Sequence, residues 1–132
     1  MSEVRQIHCC GCDAKVNARL TNGAEIYPHL SALAALPLWR CDTCGNYVGC
    51  HHKTGNPTNP LGNIPTKEIR NARQHIHRVL DPLWQTGRMN RKAIYARITA
   101  EIGWKFHTAK IRSVEEARAI YRIVQTIASE VA

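Results

Sequence analysis

Cys9-Cys10-Gly11-Cys12 and Cys41-Asp42-Thr43-Cys44-Gly45 are the two stretches that decide how this chain reads. In each, a Cys-x-x-Cys spacing lets two thiolates from one tight turn point at one ion, with backbone N–H groups near the sulfurs helping to hold the negative charge. Two such turns complete a tetrahedral site made of four thiolates, so the pattern predicts structural Zn2+ on Cys9, Cys12, Cys41 and Cys44. Gly45 supplies the positive-φ freedom that such a knuckle needs. The 28 residues between Cys12 and Cys41 exceed the ~15 to 20 of the commonest signature, which implies an insertion between the knuckles.

A redox dithiol would account for one such pair, but not for two of equal spacing. The ligand register is open at this stage. Cys10, Cys50, His51 or His52 could replace one of the four, although only Cys9, Cys12, Cys41 and Cys44 give symmetric knuckles. Otherwise Cys10 and Cys50 read as spare thiols or small core residues. His51 and His52, adjacent and just after the second knuckle, are the best candidates for a second site.

Metal rather than disulfide chemistry also follows from the expected compartment. Met1-Ser2-Glu3-Val4-Arg5-Gln6 lacks the basic-then-apolar order of a signal peptide. The longest uncharged stretch, Ile26 to Trp39, holds two prolines and is too short to span a bilayer. A cytoplasmic protein without a membrane segment is expected, and six cysteines in a reducing compartment point to metal.

Around the knuckles the residues favour strands. Val16, Ala18 and Leu20 alternate with Asn17 and Arg19, Thr21-Asn22-Gly23-Ala24 makes a turn, and Glu25-Ile26-Tyr27 resumes in extended form, which predicts a hairpin. Leu38-Trp39-Arg40 and Asn46-Tyr47-Val48-Gly49 flank the second knuckle, so two short hairpins would clasp one ion. A helical turn is expected over Ser31 to Leu36, ended by Pro37. From His51 to Pro65, three prolines, three asparagines and two glycines read as a loop.

Beyond the loop the apolar period changes from two to 3.6. Thr66 is a suitable N-cap, and Ile69, Ala72, Ile76, Val79, Leu80 and Leu83 share one side of a helix that Asp81-Pro82 would kink or restart. A second helix should start at Asn90 and stop at Gly103. A third should start at the capping box Ser113-Val114-Glu115-Glu116, with Ala117, Ile120, Tyr121, Val124, Ile127 and Val131 on its buried face. The 132 residues thus predict an α+β fold: a small zinc-ribbon-like β lobe with its loop over residues 1–62, then a basic lobe of about three α-helices over 63–132, packed as one domain.

The charge is unevenly placed. The chain carries 18 Lys and Arg against 10 Asp and Glu, and the nets for residues 1–62, 63–112 and 113–132 are +1, +8 and −1. On a helical wheel Lys67, Arg70, Gln74, His77 and Arg78 fall in one sector, opposite the apolar stripe. Arg73, Arg88, Arg91, Lys92, Arg97 and Lys105 are counted with them as nucleic-acid-binding candidates, followed by Lys110 and Arg112. Cations with so few carboxylates between them suit phosphates better than i,i+4 pairing. Trp104-Lys105-Phe106-His107 interleaves rings with cations, a pattern that can stack bases, although core placement suits both rings better in a chain with eight aromatic residues.

Several motifs together resemble a family of small zinc-finger-containing proteins found in phages and prophages. They are Glu25-Ile26-Tyr27-Pro28-His29, Trp39-Arg40-Cys41-Asp42-Thr43-Cys44, Tyr47-Val48-Gly49-Cys50-His51, Pro60-Leu61-Gly62 with Arg70 and Arg73 after it, and Asp81-Pro82-Leu83-Trp84 followed by Gly87-Arg88-Met89. The resemblance covers roughly residues 7–125. It implies zinc and a bacterial host cell, and supplies no activity. The first knuckle departs from the family's usual Cys-x-Tyr-Cys-Gly, which leaves the status of Cys10 open.

Three functions are compatible with this reading. A non-catalytic zinc protein could grip DNA or RNA through the basic helices. A host-takeover or anti-defence adaptor could bind a host protein through the same face. An HNH-like nuclease could use His51 or His52, Asn63 and His75 or His77, although no Asp precedes His51-His52 to complete the usual metal-binding pair. The first is the expectation carried forward, and no enzyme activity is expected.

Overall fold

The computed structural model describes residues 3–131, which fall into two compact units, Met1–Lys67 and Glu68–Ala132. In the first, strands β1 (Val4–Cys9), β2 (Ala14–Asn22), β3 (Pro37–Arg40) and β4 (Tyr47–Gly49) form one antiparallel four-stranded sheet in chain order. The alternation of Val16, Ala18 and Leu20 is that of β2, with Ala18 wholly buried.

The first hairpin is not the expected one. β2 pairs back to β1 with Cys9 opposite Ala14, so the first Cys-x-x-Cys is itself the hairpin turn. Glu25-Ile26-Tyr27 does not continue as a strand. Gly23–Ile26 is a single helical turn, α1, because the Asn22 side chain accepts the Glu25 N–H and closes an N-cap there. Gly23 is required by close approach: a Cβ on it would lie 1.7 Å from the Leu33 carbonyl oxygen. The second hairpin follows the expectation, with β3 and β4 flanking the second knuckle and Trp39 opposite Val48. β2 and β3 join the two hairpins into one sheet, with Leu20 opposite Trp39. The expected turn before Pro37 is a short 3-10 helix, Ser31–Leu33.

The proline-rich loop returns to the sheet. Leu61 N–H donates to the Gly49 carbonyl, Ile64 N–H to that of His8, and Cys10 N–H to that of Ile64. Ile7, Cys9, Ala18, Trp39, Cys41, Val48, Cys50 and Ile64 make the buried core of this unit. Trp39 lies in it with its indole N–H on the Thr58 carbonyl, 2.7 Å away. Cys50 is therefore a core residue, and burial pushes its thiol pKa upward.

In the second unit, α2 (Lys67–Gln85, whose first residue closes unit one) runs unbroken through Pro82. Asp81 does not cap a new helix. Its carboxylate instead takes the Trp84 indole N–H and lies 3.2 Å from His77 Nδ1. α3 (Arg91–Ile102) starts on Asn90, whose side chain accepts from Lys92 and Ala93 N–H, and stops at Gly103 with φ 82°. α4 (Val114–Glu130) starts on Ser113, which accepts Glu116 N–H, while the Glu116 carboxylate reaches back to Arg112 N–H. Isoleucines and leucines from all three helices, with Phe106 and Ile111 from the connection, fill the core. Among the described residues no helix is long and apolar enough to cross a membrane.

Candidate metal centre

The two hairpin turns meet sulfur to sulfur. Cys9, Cys12, Cys41 and Cys44 have Sγ atoms within 4.8 Å of one another. Cys9 lies 3.4 Å from Cys44 and Cys12 lies 3.7 Å from Cys41. A zinc ion with Zn–S bonds of about 2.3 Å needs sulfurs about 3.8 Å apart at the corners of a tetrahedron, so this spacing fits the ion. Among the described residues the cluster contains these four alone; Cys10, Cys50, His51 and His52 stand outside it. His51 and His52 are exposed on the loop, with His52 Nδ1 3.3 Å from the Cys50 carbonyl.

The knuckles are alike in detail. N–H groups of Gly11 and Cys12 donate to the Cys9 sulfur, and those of Thr43 and Cys44 to the Cys41 sulfur. Gly45 takes φ 80° and its N–H returns to the Cys41 carbonyl. A Cβ on Gly11 would lie 2.7 Å from Asn46 Nδ2, the amide that donates to Cys44 Sγ at 3.2 Å. The sulfurs compete for charge. Burial pushes the Cys9 thiol up to about 12. Burial also raises Cys41, but the two backbone donors and the neighbouring thiols outweigh it and bring it down to about 7. A divalent cation among the four sulfurs lets all of them ionise together.

The sequence profile of a zinc-finger-containing domain matches residues 5–130. The chain belongs to that family. Among curated proteins and solved structures nothing matches significantly. In this zinc-finger-containing domain the ion is Zn2+, since four thiolates from paired knuckles in a closed tetrahedron are the donor set that zinc takes in structural sites.

A second feature of the domain escapes a sequence reading. Arg19 and Arg40 stand directly opposite on β2 and β3, a like-charged pair that would destabilise the sheet by itself. Glu25 from α1 accepts from both, and Asp42, inside the second knuckle, takes two hydrogen bonds of 2.9 Å from Arg19. Hydrogen bonds from Arg19 and Thr21 hold the Glu25 carboxyl down at about 2. Arg19 likewise lowers Asp42. The helical turn that replaced the expected strand is what carries Glu25 to this position.

The predicted basic residues separate into distinct environments. Lys67, Arg78, Arg88, Lys92 and Lys105 are exposed, and none makes a salt bridge among the described residues. Arg91 is exposed and lies over the rings of Tyr95 and Trp84, 4.5 and 5.5 Å from their centroids. Arg70 is half-buried. Arg97 is bound in both nitrogens by Glu130.

Arg73 does not belong on an interface, and His77 is tied to its own unit by hydrogen bonds. Arg73 is buried, at 8% exposure, and donates to the Ile111 carbonyl at 2.6 Å, because it sits between Ile69 and Ile76 on the inner stripe of α2. His77 has both ring nitrogens engaged, Nδ1 by Asp81 and Nε2 by Thr108 at 2.8 Å. His75 stacks on Tyr121. Phe106 is core, packed 5.0 Å from Tyr95, and Trp104 is half-buried beside it.

Proposed function

We propose that this zinc protein binds nucleic acid without catalysing a reaction on it, the metal holding the β unit and the helical unit supplying the contacts. The observation that carries the reading is the exposure of Arg78, Arg88, Lys92 and Lys105 with no carboxylate paired to any of them among the described residues. Surface cations left to water in this number are the electrostatic footprint of a phosphate partner. Carboxylates are available in the same unit, and three of them are engaged elsewhere: Glu130 with Arg97, Asp81 with His77 and Trp84, Glu116 with a backbone N–H. A phage setting, which the motif resemblance implies, fits a compact protein of this kind acting in the cytoplasm of a bacterial host.

The test is fluorescence anisotropy on labelled DNA and RNA across a salt series. Each phosphate contact contributes a slope of about −0.9 on duplex DNA in log K against log salt. The triple variant Arg78→Glu, Arg88→Glu, Lys92→Glu should weaken binding and flatten that slope by about three. Absence of binding by the intact zinc-loaded protein at low salt contradicts the reading. Magnesium- or manganese-dependent nicking that disappears in His51→Ala, His52→Ala replaces it with a nuclease.

A further inference from the structure

α4 presents Arg118, Tyr121, Arg122 and Gln125 at i, i+3, i+4 and i+7, a spacing that sets them on one face. Across from them α2 presents Asn71 and His75, and the two helices enclose an open groove of about 530 Å³ with an aliphatic floor. That volume is in the range of small-ligand sites. The His75 and Tyr121 rings stack across the groove, 4.9 Å between centroids and 27° between planes. Tyr121 is half-buried and His75 exposed, so the pair is a two-ring stack with its imidazole toward solvent.

The chemistry of the rim is one-sided. No Asp or Glu lines the groove among the described residues. Arg118 and Arg122, one turn apart, are exposed and make no salt bridge among the described residues. Asn71 and Gln125 add neutral amides, each both donor and acceptor. A flat, preassembled π surface rewards a flat partner, amides read the edge of a ring, and paired guanidinium groups reward anions a short distance from it. An acidic peptide would use the arginines and leave the ring stack without a role. A base within a duplex cannot reach such a platform.

We propose that this groove takes an unstacked base of single-stranded nucleic acid, the base on the His75–Tyr121 stack and its flanking phosphates on Arg118 and Arg122. This inference rests on the nucleic-acid reading above and adds to it a site, a strand state and, on α4, residues outside the basic helices.

The experiment uses the full zinc-loaded chain with labelled oligo(dT), oligo(U) and a duplex of equal length. In His75→Ala, Arg118→Gln, Arg122→Gln, all three side chains are exposed, so an unchanged melting temperature is expected. Single-strand affinity should fall about tenfold or more, the scale of one lost base stack, with duplex affinity changed far less. Oligo(dT) substituted with 5-bromouracil should photo-cross-link to the peptide carrying His75 or Tyr121. If single strand and duplex fall equally, or neither falls, or the cross-link maps elsewhere, the groove proposal is overturned. In those cases loss of binding in Arg78→Glu, Arg88→Glu, Lys92→Glu leaves the broader reading standing. No binding by the parent protein to any probe removes both.

Discussion

The Sγ atoms of Cys9 and Cys44, 35 positions apart in sequence, lie 3.4 Å from one another. The first residue of one knuckle therefore faces the last residue of the other, and Cys12 faces Cys41 in the same way at 3.7 Å. Because each knuckle is the turn of its own hairpin, the metal ties together two turns of one sheet. Two of the ligands also lie in the core, where Cys9 and Cys41 are buried with Ile7, Trp39 and Val48, while Cys12 is half-buried and Cys44 exposed. Metal binding and folding of this unit are consequently one process, on a scale of about 10 kcal/mol or more.

One zinc per chain should be measured by plasma mass spectrometry after gel filtration. Cys9→Ser, Cys12→Ser, Cys41→Ser and Cys44→Ser should each lose the metal and lower the melting temperature sharply. Cys10→Ser, outside the cluster, should retain a full equivalent. Because thiolates bind and thiols do not, acid should release the ion.

Glu25 makes a pH-dependent contribution whose sign is fixed by its lowered pKa. Held at about 2 in the folded chain against an unfolded value near ~4.3, it stabilises the fold above the unfolded value, and that stabilisation is lost as pH falls toward about 2. Glu25→Gln should therefore destabilise the protein at pH 7, and the gap to the parent should close in acid. Denaturant midpoints of both proteins at pH 7, 4 and 3 would measure it. A gap that stays constant or widens in acid contradicts the role given to Arg19 and Thr21.

Arg73 separates a structural cation from the binding ones. Arg73→Ala removes a buried charged donor from the Ile111 carbonyl and leaves a void beside Ile69 and Ile76, so a loss of about 2–4 kcal/mol is expected in urea unfolding. The folded fraction should bind nucleic acid with an unchanged salt slope.

Gly23→Ala should be costly although alanine favours helices. The added carbon meets the Leu33 carbonyl, which belongs to backbone that cannot swing aside, and about 3 kcal/mol or more is expected from thermal unfolding. Asn22→Ala, which removes only the cap, should cost about 1 kcal/mol.

What could be read in advance was what local chemistry fixes. Asn90, Gly103 and Ser113 end or begin helices through bonds to neighbours within four residues, and all three stand where those residue types place them. The four zinc ligands were legible for the same reason, since Cys-x-x-Cys geometry is local to each turn. What went astray depended on contacts distant in sequence. Whether Glu25 continues a strand depends on Leu33 approaching Gly23 and on Arg19 and Arg40 needing a common anion. β1 gives little signal in the sequence, because Val4, Arg5 and Gln6 are exposed on an edge strand and lack an alternating pattern. Arg73 carried a signal that was available: with Ile69, Ile76, Leu80 and Leu83 it completes a four-three spacing along the inner stripe of α2. Asp81-Pro82 reads locally as a kink or a restart, yet α2 runs on through it to Gln85, an outcome that the dipeptide by itself does not signal.

X-ray absorption at the zinc edge of the purified protein tests the central claim most directly. Four sulfur neighbours at about 2.3 Å, with no nitrogen or oxygen in the coordination shell, are expected. A shell containing a histidine nitrogen or a water oxygen, or a fully folded protein with no zinc to measure, would contradict the assignment to Cys9, Cys12, Cys41 and Cys44.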